Sequence, residues 1–200
     1  LSLGYRQFLA AARCLAARLA GETDRPHVGV LAPTSAAGAA AIYACWYAGK
    51  VPIPLNFMLA PPELAKIVRD AGLDLIVCAE PLAALAQGLG IRVMPLELRT
   101  AEADDTPVPE VQPGDLAVLL YTSGTIGEPK GACLTFENLT RNAQACIEAA
   151  ELTPDEVFLG LLPQFHAFGL TATTIVPVML GATVYYLPRF SPMTVVNLIA

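Results

Sequence analysis

Leu116-Ala117-Val118-Leu119-Leu120-Tyr121 is an apolar, β-like run that empties into Thr122-Ser123-Gly124-Thr125-Ile126-Gly127-Glu128-Pro129-Lys130-Gly131. The second part carries glycines at 124, 127 and 131, hydroxyls at 122, 123 and 125, and one lysine at 130. Those are the residue types a phosphate needs. Glycine lets the backbone turn inward, N–H groups and hydroxyls donate, and a cation balances charge. The Walker loop requires a Lys-Ser/Thr pair directly after its last glycine, and here Glu128 and Pro129 intervene. The dinucleotide pattern G-x-G-x-x-G does not occur. On composition alone, a plain turn is the commoner reading of such a loop.

Working outward, helical and strand periods alternate along the chain. Upstream, Tyr5, Phe8, Ala12, Leu15 and Leu19 recur at three and four, which predicts an amphipathic helix ended by Gly21. Val28 to Leu31 reads as a buried strand, and Thr34 or Ser35 can cap a helix over 36–48. Val51 to Pro54 is extended. Pro61-Pro62-Glu63 opens a helix with Leu64, Ile67, Val68 and Ala71 on one face. A strand over 73–79, a short helix over 82–89 and a strand over 91–95 follow. The acidic, proline-bearing stretch 97–114 reads as a surface loop and a candidate subdomain junction.

Downstream of the glycine-rich loop, Thr135 caps a helix marked by Phe136, Leu139, Ala143, Cys146 and Ala150. A strand over 157–162, a helix over 168–180 bent near Pro177, a strand over 182–187 and a helix from Ser191-Pro192 complete the pattern. Such alternation predicts a three-layer α/β domain with a largely parallel sheet flanked by helices.

Composition narrows the function classes. Two hundred residues with 54% hydrophobic content allow one sizeable core, and the formal net charge of -6 with no basic tract makes nucleic acid a poor partner. Only 15% of residues are charged, few for a free-standing surface, so a face covered by further protein is expected. The cysteines at 14, 45, 78, 133 and 146 form no C-x-x-C, so reduced, buried thiols in a cytoplasmic protein are expected, without disulfides or zinc. Two uncharged windows, 28–49 and 167–188, are broken by proline, glycine and hydroxyl residues, and a buried helix–strand pair fits them better than a membrane span. Asp104-Asp105 lies in a loop and reads as solvated charge; no metal site is expected. His27, Trp46 and His166 each have a structural reading: exposed or packing for the histidines, core for the tryptophan.

Tyr121 to Gly131 resembles the phosphate-loop signature of the adenylate-forming enzymes, the group containing acyl-CoA synthetases, peptide-synthetase adenylation domains and firefly luciferase. Leu162-Pro163-Gln164-Phe165-His166-Ala167-Phe168-Gly169-Leu170 resembles that family's next motif. The resemblance spans essentially residues 1–200, as an incomplete N-terminal part of the large domain, with a C-terminal domain absent.

The resemblance implies that the loop holds the β- and γ-phosphates of ATP while a carboxylate attacks the α-phosphorus. Thr122, Ser123, Gly124, Thr125 and Gly127 would form the cradle, and Lys130 the catalytic cation beside the leaving pyrophosphate. Phe165, His166, Phe168 and Gly169 would border the pocket for the carboxylic acid. Magnesium would accompany ATP, and CoA or the phosphopantetheine of an acyl carrier protein would take the acyl group. Ile126 departs from the family's usual Thr or Ser, and Gln164 from an apolar residue, which puts local packing in question. The closest resemblance is to fatty-acyl-CoA or acyl-carrier-protein synthetases, some of which sit beside bilayers. Adenine, ribose, magnesium and adenylation-lysine motifs would lie past residue 200, so this segment alone would be catalytically incomplete. The rivals are an amino-acid or aryl-acid adenylation domain, and a noncatalytic phosphate-binding or interaction domain.

Overall fold

A computed structural model of the chain describes residues 2–99, 107–122, 129–187 and 191–199. The first half is a parallel α/β unit. Helix α1 (Tyr5–Ala20) leads into β1 (His27–Leu31), α2 (Ala36–Tyr47), β2 (Val51–Pro54), α3 (Pro61–Asp70), β3 (Leu75–Cys78), a short 3-10 turn (Glu80–Leu82), α4 (Ala83–Gln87) and β4 (Arg92–Pro95). The four strands form a parallel sheet in the order β2-β1-β3-β4.

Period-two alternation sorts the side chains to the two faces. Val28, Val30, Leu75, Val77 and Met94 pack on Leu15, Ala16 and Leu19 of α1 and Ala41, Ala44 and Cys45 of α2. Leu31, Ile53, Leu55, Ile76 and Cys78 pack on Leu64, Ile67 and Val68 of α3 and Ala86 of α4. This is the expected three-layer arrangement. The alanines of α2 make it thin enough to be buried both toward the sheet and toward α1. Of its two candidate caps, Ser35 is the one used: its Oγ accepts from the Gly38 N–H at 3.0 Å. Gly49, at φ 65°, then makes the left-handed turn into β2.

The second half departs from a single sheet. Strand β5 (Leu116–Thr122) pairs antiparallel with β6 (Lys130–Thr135), and β7 (Val157–Gly160) pairs in parallel with β8 (Thr183–Tyr186). Strand β6 was not expected. It is exposed over most of its length, so it lacks the apolar alternation of a strand that meets a core. Helix α5 (Phe136–Ala149) begins as expected at Thr135, whose Oγ1 accepts from the Asn138 N–H while the Asn138 side chain accepts from the Thr135 N–H. The helix expected over 168–180 is three pieces: α6 (Ala167–Leu170), a π-helical turn (Thr171–Ile175) and α7 (Val176–Leu180). Pro177 has no N–H to offer the Thr173 carbonyl, and the Tyr186 hydroxyl takes its place at 2.6 Å. Helix α8 (Pro192–Ile199) follows Ser191 as anticipated.

Trp46 joins the halves. Its indole N–H donates to the Ala117 carbonyl at 2.7 Å, and its ring meets Tyr43 and Phe136. His27 is structural, with Nδ1 2.8 Å from the Ala71 carbonyl. The expectation that the five cysteines are buried holds for Cys45 and Cys78, while Cys14 is half-buried. Cys133 and Cys146 are exposed, because β6 and the outer face of α5 carry them. Asp104 and Asp105 lie outside the described residues. Among the described residues, no helix is long and apolar enough to cross a membrane.

Two stability predictions follow from these contacts. Tyr186→Phe should leave the Thr173 carbonyl without its donor and cost about 1–2 kcal/mol in denaturant unfolding of the full-length protein; an unchanged midpoint would contradict the bond's role. Burial pushes the Cys45 thiol up to about 12 and Cys78 up to about 11 from an ordinary 9.0, and raises Tyr43 and Tyr186 above an ordinary 10.0. The folded chain therefore keeps protons that the unfolded chain releases. These groups should cost no stability below about pH 9 and a growing amount as pH rises toward about 12. Unfolding curves that do not move across that window would contradict the sign.

Candidate active site

The glycine-rich loop is the connection of the β5–β6 hairpin. Ala117, Val118, Leu119 and Leu120 are buried, Tyr121 is half-buried and Thr122 is exposed, so the strand carries the chain from core to surface at the loop's start. On return, Lys130 pairs with Thr122 and Gly131 with Tyr121. Thr122 and the exposed Lys130 thus stand opposite each other at the hairpin mouth, with Thr122 Oγ1 3.5 Å from the Lys130 carbonyl. Lys130 and Gly131 belong to a strand and not to the loop itself. Ser123, Gly124, Thr125, Ile126 and Gly127 lie outside the described residues.

Tyr121 anchors the mouth from below. Its hydroxyl donates to Asp70 Oδ2 at 2.5 Å, at the C-terminal end of α3. Burial and then this neighbouring carboxylate raise the phenol well above its ordinary range, so it stays a protonated donor. Gly131 leaves room for the ring: a Cβ there would sit 3.2 Å from Tyr121 and 3.0 Å from Leu119. Nothing in the sequence pattern pairs residue 70 with residue 121, so this strut could not have been read in advance.

The second motif is a tight turn between β7 and α6. The His166 N–H donates to the Pro163 carbonyl at 3.1 Å, and the Leu170 N–H to the His166 carbonyl at 2.8 Å. Phe165 is buried, edge-on to Phe57 at 5.4 Å, and its ring lies 4.7 Å from that of His166. His166 itself is exposed at the helix start. Phe165, His166 and Phe57 therefore form one group. Phe168 stands apart from this group and is 70% exposed. Gly169 is buried against the backbone, where a Cβ would lie 2.0 Å from the Pro163 carbonyl oxygen. Its bare α-carbon closes the turn.

Gln164, the residue that puzzled the sequence reading, is buried and satisfied. Its Oε1 accepts from the Ser35 N–H at 3.1 Å and its Nε2 donates to Thr174 Oγ1 at 2.9 Å. The two motifs share a core: Leu170 packs with Ala117, Val118 and Leu120 of β5 and with Ile42 of α2. A cleft of about 440 Å³, lined by residues including Arg25, Arg69, Asp74 and Leu89, contains no described residue of either motif. Magnesium finds no fitting cluster of three or more carboxylate, histidine or cysteine groups among the described residues, and none of them is assigned to it.

Comparison with known proteins agrees with this arrangement. Feruloyl-CoA synthase of Amycolatopsis sp is 38% identical over 184 residues, covering 90% of this chain and 37% of that protein. A solved malonyl-CoA ligase, a ternary product complex with methylmalonyl-CoA and AMP, superposes with a TM-score of 0.86 at 32% identity, over 100% of this chain and 42% of the other. The o-succinylbenzoate CoA synthetase of Bacillus subtilis, solved with its acyl-adenylate intermediate, gives 0.85 at 28% identity, over 96% and 51%. The chain thus spans between about a third and a half of the length of these relatives. The AMP-binding enzyme family model matches residues 2–200, and the chain belongs to that family.

Proposed function

We propose that the protein containing this chain activates a carboxylic acid with ATP and passes the acyl group to CoA. A carboxylate oxygen attacks the α-phosphorus of ATP, the bond from that phosphorus to the β-phosphate oxygen breaks, and pyrophosphate leaves. The CoA thiol then attacks the acyl carbon of the adenylate and AMP departs. The observation that carries this reading is the hairpin mouth, where Thr122 and Lys130 face each other at the two ends of a loop rich in glycine and hydroxyls. Lys130 supplies positive charge where it develops on the leaving pyrophosphate, and Thr122 with Ser123, Gly124, Thr125 and Gly127 supplies donors.

The acid binds beside Phe165 and His166. Their contact with Phe57 offers an aromatic wall suited to an apolar acid, fatty-acyl or otherwise. His166 orients the carboxylate and moves no proton, because an ionised acid needs no general base to attack phosphorus. An aromatic acid is the second reading, favoured by the 38% identity to a feruloyl-CoA synthase. The remainder of the polypeptide completes the site and covers apolar surface that stands open on this part, including Val157, Tyr185, Val196 and Ile199.

Acid-dependent exchange of labelled pyrophosphate into ATP by the full-length protein tests the reading. Fatty, aromatic, dicarboxylic and amino acids form the panel, and exchange with an apolar acid is the expected result. Exchange with amino acids alone would move the protein to the peptide-synthetase class, and exchange with none would leave a noncatalytic domain. Lys130→Ala, a change at an exposed side chain, should cut exchange about a hundredfold without altering the fold. Exchange unaffected by that change would remove Lys130 from the machinery.

A further inference from the structure

The turn that carries Phe165 and His166 is gripped from two sides by one side chain. Gln164 is 5% exposed, and it spends its acceptor on the Ser35 N–H and its donor on the fully buried Thr174 hydroxyl. Ser35 begins α2, and Thr174 lies in the π-helical turn that follows the motif. A third bond runs parallel to the first: Thr34 Oγ1 donates to the Leu162 carbonyl at 3.2 Å. The fit requires a missing side chain opposite, because a Cβ on Gly38 would lie 2.5 Å from Gln164 Oε1.

An apolar residue of similar size could fill the same space, but it could not fix the rotation of the turn. The amide does so, because its acceptor and donor diverge and each meets a different element, the acceptor the half-buried Ser35 N–H and the donor the buried Thr174 hydroxyl. The cavity that borders Gln164 and Phe165 holds about 10 Å³, so the turn has little room to shift into it. We propose that Gln164 is a positioning residue for the carboxylic acid: it sets the Pro163–His166 turn, and through it the placement of Phe165 and His166, without touching substrate itself. This inference rests on the acid-activation reading. A role confined to packing would lower stability and leave substrate handling unchanged, which separates the two.

The experiment is steady-state pyrophosphate exchange by the full-length protein, with the acid that the wild type uses best. Gln164→Leu should raise KM for the acid about tenfold and leave KM for ATP within about twofold. Thr174→Val, which removes the donor's partner together with a hydroxyl contact to Tyr186, should move KM for the acid in the same direction by a smaller factor. Thr174→Ser keeps the hydroxyl and should restore it to within about twofold of wild type. An unchanged acid KM in folded Gln164→Leu, or in Thr174→Val if the first variant does not fold, would overturn the proposal. An equal rise in both KM values would overturn it too, since the turn would then not act on the acid selectively. Absence of exchange by the wild type with every acid would instead overturn the acid-activation reading, and this inference with it.

Discussion

Strand β5 has to satisfy two cores at once, and the placement of both motifs depends on that. Leu119, with Tyr121 beside it, enters the cluster built on Leu55, Leu64 and Ile67 of the first half. Ala117, Val118 and Leu120 enter the cluster built on Leu139, Ala143, Leu170 and Val176 of the second. From Val118 onward, a slip of the strand by one residue would exchange Leu119 and Tyr121 with Val118 and Leu120 between the two cores. Its backbone is held as well, through the Trp46 indole on the Ala117 carbonyl and the antiparallel ladder with β6. The register so fixed sets where the chain leaves the core, and therefore where Thr122 and Lys130 stand.

The second motif is held by close approach instead of by register. Two glycines permit it: Gly169 lets α6 press on the Pro163 carbonyl, and Gly38 admits the Gln164 amide at the start of α2. Both positions trade a side chain for backbone proximity, a use of glycine that depends on the missing Cβ and not on unusual dihedral angles. Helix α2 is thus shared. Its Ser35 end receives the turn, its Trp46 end receives β5, and its alanine-rich flank packs on α1 and the parallel sheet.

Much of this was legible in the residues. The alternation of helix and strand periods and the caps at Ser35 and Thr135 act locally, so the sequence carries them directly. What escaped was set by distant partners. Strand β6 has a polar, exposed sequence and exists because β5 offers it a ladder. The π-helical turn depends on Tyr186 as much as on Pro177. The division into three sheets follows from which strands find neighbours, which periodicity does not encode. In the candidate site, residue types pointed to a phosphate and the family resemblance supplied the roles, whereas the partners of Gln164, the clearance at Gly38 and the Tyr121–Asp70 strut emerge only from the fold.

Membership of the AMP-binding enzyme family and the joint placement of the two motifs around β5 make attack at the α-phosphorus of ATP the central chemical claim. The most direct measurement follows the oxygen that makes the attack. The full-length protein would be given ATP, CoA and an acid carrying heavy oxygen in its carboxylate, and the products weighed by mass spectrometry. Adenylation predicts one heavy oxygen transferred to AMP, because the bridging carboxylate oxygen stays on phosphorus when the thiol takes the acyl group. Unlabelled AMP, or heavy oxygen appearing in inorganic phosphate beside ADP, would contradict the account.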